Sequence, residues 1–461
     1  SNLTSQVDLD RPFKYPTAIK RKMLISPSCS TRALGIARCS TASATTISWF
    51  SSSAKRKKQR PIFVAATKQH VGKTSTSLAL LSGLQKRFDK VGFIKPVGQQ
   101  HVPVYSKLLD KEIRVDKDVC LMRERFNLDH IDYEHMSPVI IPRGYTKKYI
   151  EGEITHKDQI DKVMNSFENV DKASDITLME GTGHCAVGSI VGVNNAQIAA
   201  MLGADVVLVA NGGLGSTFDE LTLNRIVCQH YGVRIAGVVL NRVIQEKYDQ
   251  TKYFMSKVLK EAWGVPLLGC IPDRPFLGCP ALMDLETIFG TKLINGEKHR
   301  FRHYNMSDIN LVTTSLTRFL ENLRNKPSRT LYICHVTRDD LILGFMAEYQ
   351  RRQAKEKGSF EAALIVCGRG GKYEITKEVR DMVMGLDCAP VMIVEYSTHQ
   401  AMQKIHAYTP KFNIDDTHRV NTAVEHYEPY IDFDELLRRT SSSDSSFNEP
   451  GTLSLEDLKN N

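Results

Sequence analysis

The sequence predicts an α/β fold, a parallel sheet covered by helices on both faces and followed by a second, smaller α/β unit. Three observations carry this. Short, nearly continuous Val/Ile/Leu runs alternate with helical stretches from Pro61 onward, and fully apolar strands separated by helices are those of a sheet buried on both faces. Two of the helical stretches, FDELTLNRIVCQHYG and YDQTKYFMSKVLKEAWG, close on a glycine, as helix C-termini favour. Near the start, IFVAA runs into TKQHVGKT and then into a stretch with Leu78, Leu81 and Leu84 on one helical face.

The elements follow in order. IFVAA (Ile62–Ala66) and VGFIKP open the first unit. DITLMEG (Asp175–Gly181), ADVVLVANGG (Ala204–Gly213), IAGVVLNR (Ile235–Arg242) and VPLLGCIP (Val265–Pro272) supply its later strands. RTLYICHV, EAALIVCG and APVMIVEY are the strands of the second unit. The expected division is 1–60, 61–288, 289–439 and a Ser-rich, low-complexity tail over 440–461. A chain of 461 residues accommodates two such domains. No apolar run approaches the roughly 20 residues that a membrane-spanning helix needs.

Charge is unevenly placed. Before Pro61 twelve Lys or Arg stand against Asp8 and Asp10, and no acidic residue occurs between Asp10 and Asp89. The formal net charge of +9 therefore resides in that segment, and no nucleic-acid partner is expected. From Met23 the segment is rich in Ser, Thr, Ala and Arg, the composition of an organellar transit peptide, with a disordered basic tail as the alternative. The expected location is the mitochondrion, with the plastid as alternative. Eight of the ten cysteines lie beyond this segment, without a CxxC pair, so reduced, mostly buried thiols are expected. Cys367 in VCGRGG is read as structural.

Strand, loop ending VGKT, then helix is the context a phosphate-binding loop requires. Backbone N–H groups of Val71, Gly72, Lys73, Thr74 and Ser75 at the helix N-terminus hold phosphates, Lys73 neutralises the outer ones, and the Thr74 hydroxyl binds Mg²⁺. The usual first glycine is replaced by Ala66 or Thr67, depending on loop length. ATP with Mg²⁺ is the expected cofactor. Glu180, ending DITLMEG before a Gly-rich turn, is a candidate metal acid opposite Thr74. Asp118 is either a second metal acid or a charge favourable at a helix N-terminus. Lys95, in FIKPVGQQ, either stabilises a transferring phosphoryl group, which makes it a catalytic candidate with Lys73, or forms an ordinary ion pair. Asn241 offers an amide that matches the edge of adenine. Thr217 and Glu220 have capping-box spacing.

Taken in order, VGKT, FIKPV, LMEGTG, VVLNR and PLLGCIP resemble the dethiobiotin-synthetase-like P-loop group. They resemble more closely the N-terminal part of the long phosphate acetyltransferases (phosphotransacetylases), where such a domain precedes a DRTGG domain. CHVTRDDLILGFM, EAALIVCGRGG and APVMIVEYSTHQAMQKIH are similar to successive elements of that second domain. The resemblance implies phosphate and Mg²⁺ contacts for Lys73 and Thr74, metal-binding roles for Glu180 and Asp118, and an adenine contact for Asn241; Pro272, which closes the last motif, is a further candidate cofactor contact. Lys68 lies five residues before Lys73, where KGGxGKT-type loops carry a lysine that reaches a dimer partner's nucleotide. A solvated surface lysine is the alternative.

ATKQHVGKT departs from the synthetase loop GTDTEVGKT by placing Lys68 where the acid stands, and KPVGQQ lacks the serine of KPVASG. Carboxylation of a diamino substrate is therefore not expected, nor is acetyl transfer to phosphate by this polypeptide alone. The expectation is a Mg·ATP-binding regulatory or scaffolding protein that forms homo-oligomers and meets a protein partner through its DRTGG-like unit. The alternative is an ATP-dependent ligase acting on a small carboxylate or amine.

Overall fold

The computed structural model describes residues 59–325, 329–354, 360–368, 374–385 and 389–441. The transit-like segment, the Ser-rich tail and the glycine-rich stretch after Gly368 lie outside the described residues. Six strands form the first sheet in the order Leu267–Pro272, Ile235–Val243, Asp205–Asn211, Ile62–Ala66, Ile176–His184, Val91–Ile94. Every pairing is parallel, as the continuous apolar runs require. From Ile62–Ala66 the chain moves two places to one side, and from Ile176–His184 it moves two places to the other. The connections therefore diverge over the carboxyl ends of these two central strands, which opens a crevice there.

The second sheet has five strands, Leu293–Asn295, Val391–Val394, Ala363–Cys367, Leu331–His335 and Ile309–Leu311, with only the first antiparallel to its neighbour. Successive residues alternate between two cores: Tyr332, Cys334, Leu364 and Val366 face one, and Leu331, Ile333, Ala363, Ile365 and Cys367 face the other. Period-two alternation with both faces apolar marks a sheet covered on both sides. Cys367 is fully buried and its thiol is pushed up to about 12 by burial, which fits a packing role.

The packing divides the chain differently from the boundary expected at 288/289. Leu282, Leu285 and Phe289, on one helix, belong to the second unit's core. Helices Thr417–Tyr427 and Phe433–Arg439 instead return to the first core through Val420, Ala423, Val424, Tyr427, Phe433 and Leu436. Helical periodicity marks an apolar face but does not say which core receives it. The return is close-fitting: a Cβ on Gly83 would lie 2.0 Å from a Phe433 ring carbon, and Ser82 Oγ donates to Glu428 Oε2 at 2.8 Å. The described ends also meet, with Arg60 N donating to Thr440 O at 2.8 Å.

One local reading changes. The helix Gly215–His230 starts without a capping side chain. Thr217 Oγ1 donates to Asn211 O at 3.1 Å, and Glu220 reaches the phosphate loop, so these residues form no capping box. An antiparallel hairpin, His101–Ser106 with Lys111–Asp116, leads into the helix Lys117–Phe126, and Asp116 caps that helix by accepting from Asp118 N at 3.0 Å. Gly232 and Gly264 do take positive φ after their helices. No helix among the described residues is long and apolar enough to cross a membrane.

The tight seat of Phe433 on Gly83 yields a stability test. Gly83→Val should lower the unfolding free energy by about 1–3 kcal/mol through overpacking, read from denaturant midpoints. An unchanged midpoint would mean the C-terminal helix does not rest on that glycine.

Candidate nucleotide-binding site

The loop between strand Ile62–Ala66 and helix Lys73–Gln85 turns through two residues of positive φ, His70 and Gly72. Gly72 has φ 98°, the left-handed region that glycine enters freely. A Cβ there would also fall 2.1 Å from Asn241 Nδ2. Neither Ala66 nor Thr67 has positive φ, so the missing first glycine is not needed. Thr67 N donates to Val209 O at 2.9 Å and its hydroxyl donates to Glu220 Oε2 at 3.0 Å. The helix has no capping side chain and no acid in its first turn. Its leading N–H groups and positive dipole end therefore face the crevice as an anion site.

An acid–lysine cluster lies beside the loop. Register places Glu180 opposite Val64 in the neighbouring strand, and Thr74 Oγ1 donates to Glu180 Oε1 at 3.0 Å. Lys95, buried, has its Nζ 3.0 Å from Asp116 Oδ1 and 3.8 Å from Glu180 Oε1, and it hydrogen-bonds Asp118. Burial alone would lower the Lys95 pKa, but Asp118, Asp116 and Glu180 hold the ammonium firmly charged, with its pKa raised. Burial pushes Asp118 up, yet Lys95 and then Lys117 keep it below its ordinary value. Burial raises Glu180 and lowers both Lys73 and Lys117.

These groups line a cavity of about 750 Å³, a volume typical of small-ligand sites. Gly72, Lys73, Thr74, Ser75, Lys95, Asp118 and Glu180, all expected from the sequence, meet on its wall. Six basic side chains (Lys73, Lys95, Lys117, Arg242, Arg274, Lys411) stand there against four acidic ones (Asp116, Asp118, Glu180, Asp273).

Four expected contacts sit elsewhere. Asn241 is buried under the loop: its Nδ2 donates to Val71 O at 2.7 Å and its Oδ1 accepts from Arg242 N at 2.9 Å. Its amide is thus committed to shaping the loop rather than presented to a base. Val71 is fully buried. The Pro272 carbonyl is held by His426 Nε2 at 2.9 Å, and the next residues, Asp273 and Arg274, take its place on the wall. Lys68 lies off the cavity and pairs with Glu220 of its own chain at 2.7 Å.

Asp116, Lys117, Arg242 and the segment Tyr408–Phe412 went unforeseen. The acid–lysine–acid run of Asp116 to Asp118 was the one available signal, since the segment is brought in only by tertiary folding.

Mg²⁺ fits this donor set. Glu180 Oε2 is buried without a hydrogen-bond partner, next to the Thr74 hydroxyl. Among the described residues no group of three or more His, Cys, Asp or Glu side chains forms a metal cage. Mg²⁺ is commonly held by one or two carboxylates together with substrate phosphates, and Thr74, Glu180 and Asp118 are the residues that would supply the protein's share.

Comparison with known proteins agrees with this construction. Residues 60–281 match the family model AAA_26, an AAA domain. A phosphate acetyltransferase from Nitratidesulfovibrio vulgaris is 23% identical over 392 residues, covering 84% of this chain and 52% of that protein. The chain thus spans about half the length of the phosphate acetyltransferases of this kind that it matches. An ATP-dependent dethiobiotin synthetase BioD from Methanocaldococcus jannaschii is 23% identical over 219 residues, 46% of this chain and 94% of that protein. A solved ParA family ATPase from Chlorobium tepidum TLS overlaps 47% of this chain and 87% of its own at 14% identity, with a TM-score of 0.27, a likeness too loose to carry an argument. Residues 60–281 thus match the AAA_26 model, and the chain is similar to dethiobiotin synthetase and to phosphate acetyltransferases.

Proposed function

We propose that this chain binds Mg·ATP at the phosphate loop and acts as a nucleotide-sensing regulatory or scaffolding protein. One observation carries the reading. The loop and its acid–lysine cluster form one side of the cavity, while Met306, from the second unit's core, and Tyr408–Phe412, which follow that unit's last helix, form another. A ligand in the cavity therefore touches both units, and its arrival or departure changes the contacts between them.

In this reading the first-turn N–H groups and Lys73 hold the phosphates. Thr74, Glu180 and Asp118 hold Mg²⁺ against them. Bound Mg²⁺ would add its charge to the neutralisation that the basic side chains of the wall, six against four acidic ones, already offer. The second unit is the DRTGG-like receiver, a site for an effector or protein partner. Self-association and an organellar address, mitochondrial or plastid, belong to the same proposal.

A second reading, an ATP-dependent ligase acting on a small carboxylate or amine, is favoured by Lys95. A permanently charged lysine beside Glu180 and the loop stands where a phosphoryl transfer would need stabilisation. Against it, Lys95 already has carboxylate partners in Asp116 and Asp118. The similarity to a protein named an ATP-dependent synthetase supports either reading.

Calorimetric titration with Mg·ATP is the test. Wild-type protein should bind, and Lys73→Ala should weaken binding by about 100-fold or more, as loss of a charge-assisted phosphate contact in a buried site does. Equal affinity in the two proteins would sink the nucleotide proposal. Turnover of ATP that depends on an added carboxylate or amine would move the choice to the ligase. Glu180→Gln should weaken ATP binding about tenfold when Mg²⁺ is present and leave it at the wild-type level in EDTA. A loss of equal size in both conditions would remove Glu180 from the metal site.

A further inference from the structure

We propose that Lys411 is a phosphate-binding residue of the nucleotide site, carried there by the segment Tyr408–Phe412 that joins the second unit to the C-terminal helices. The proposal rests on the Mg·ATP reading above and adds to it the residue through which the second unit senses the nucleotide.

Lys411 lies on the cavity wall with Lys73, Thr74, His70 and Lys117. It is half-buried, and neither it, Lys73 nor Lys117 forms an ion pair among the described residues. Like charges that share a partly desolvated cavity repel one another, and the arrangement calls for a multiply charged anion. Lys411 shares this wall with His70, whose pKa it pushes down, after burial. His70 belongs to the phosphate loop itself, and Lys117 neighbours the metal acid Asp118. Lys411 thus shares one cavity with the phosphate loop, through His70 and Lys73, and with the start of the Lys117–Phe126 helix.

The backbone that presents Lys411 is held at several points. Tyr408 Oη donates to Asp284 Oδ1 at 3.0 Å. Fully buried Arg419 donates from Nη1 to Lys411 O at 3.2 Å and from Nη2 to Cys279 O at 2.6 Å and Asp284 Oδ2 at 3.1 Å. Phe412 packs on the first core. A flexible side chain on a fixed backbone can follow a phosphate without moving the chain far, and any pull it exerts passes directly to Arg419 and Asp284.

The test uses the full chain and compares Mg·ATP with Mg·ADP in wild type, Lys411→Ala, Lys411→Arg and Lys73→Ala. Lys411→Ala should bind Mg·ATP about tenfold more weakly and lose clearly less affinity for Mg·ADP. Lys411→Arg should recover most of the difference, and the melting temperature of the ligand-free protein should not change. Wild-type ATP affinity in Lys411→Ala, with binding lost in Lys73→Ala, would overturn this inference and leave the nucleotide reading standing. Normal binding in Lys73→Ala would overturn both. Equal losses for ATP and ADP, with a lowered melting temperature and no recovery in Lys411→Arg, would show that the side chain acts through the fold and would also overturn the inference.

Discussion

The buried ammonium of Lys95 is the interaction on which the site depends. Asp116, Asp118 and Glu180 come from a hairpin end, a helix start and a central strand, and each would be costly to bury as an ion alone. Lys95 makes their joint burial tolerable. It also brings three separately folded pieces to the carboxyl edge of the sheet. Asp116 then caps the helix that carries Asp118 and accepts from the backbone of Gln99 and Gln100, so the same carboxylate sets both the charge and the backbone beside the loop.

A second support acts from below. Asn241 presses under Gly72 and holds the Val71 carbonyl, and the Tyr427 hydroxyl of a C-terminal helix lies against the same glycine, 3.6 Å from where a Cβ would stand. The loop is therefore shaped by a strand from the middle of the sequence and a helix from near its end. Its conformation does not depend on its own residues alone, which explains how it dispenses with a glycine at Ala66 or Thr67.

What could be read in the sequence follows from the range of the interactions involved. The parallel strands were legible because burial on both faces leaves uninterrupted apolar runs. Gly72, Lys73, Thr74 and Glu180 were legible because a strand end followed by small residues is a local pattern. Lys95 was legible by position, but its three carboxylate partners were not all visible, and Asp116 passed unnoticed as part of a hairpin whose strands are half exposed. Asn241 is legible as a residue at a strand's carboxyl end, but only tertiary contact tells a base-reading amide from a loop-shaping one. Glu220 was equally convincing as a cap until its partners, Thr67 and Lys68, were seen more than 150 positions away. The helices beyond Asp416 showed an apolar face with nothing to indicate that it belongs to the first core.

The meeting of Arg60 with Thr440 has a further consequence. The second unit is inserted within the first, entered by one connection near residue 280 and left by another near residue 412, with the outer core closed around both. A domain attached by one linker can swivel freely, whereas one held by two covalent tethers has few rigid-body motions left, chiefly rocking about the line between its attachment points. That line runs past the cavity beside the phosphate loop, since Cys279 and Lys411 both stand on its wall. Small changes there act close to the pivot, where a short displacement becomes a large angular one.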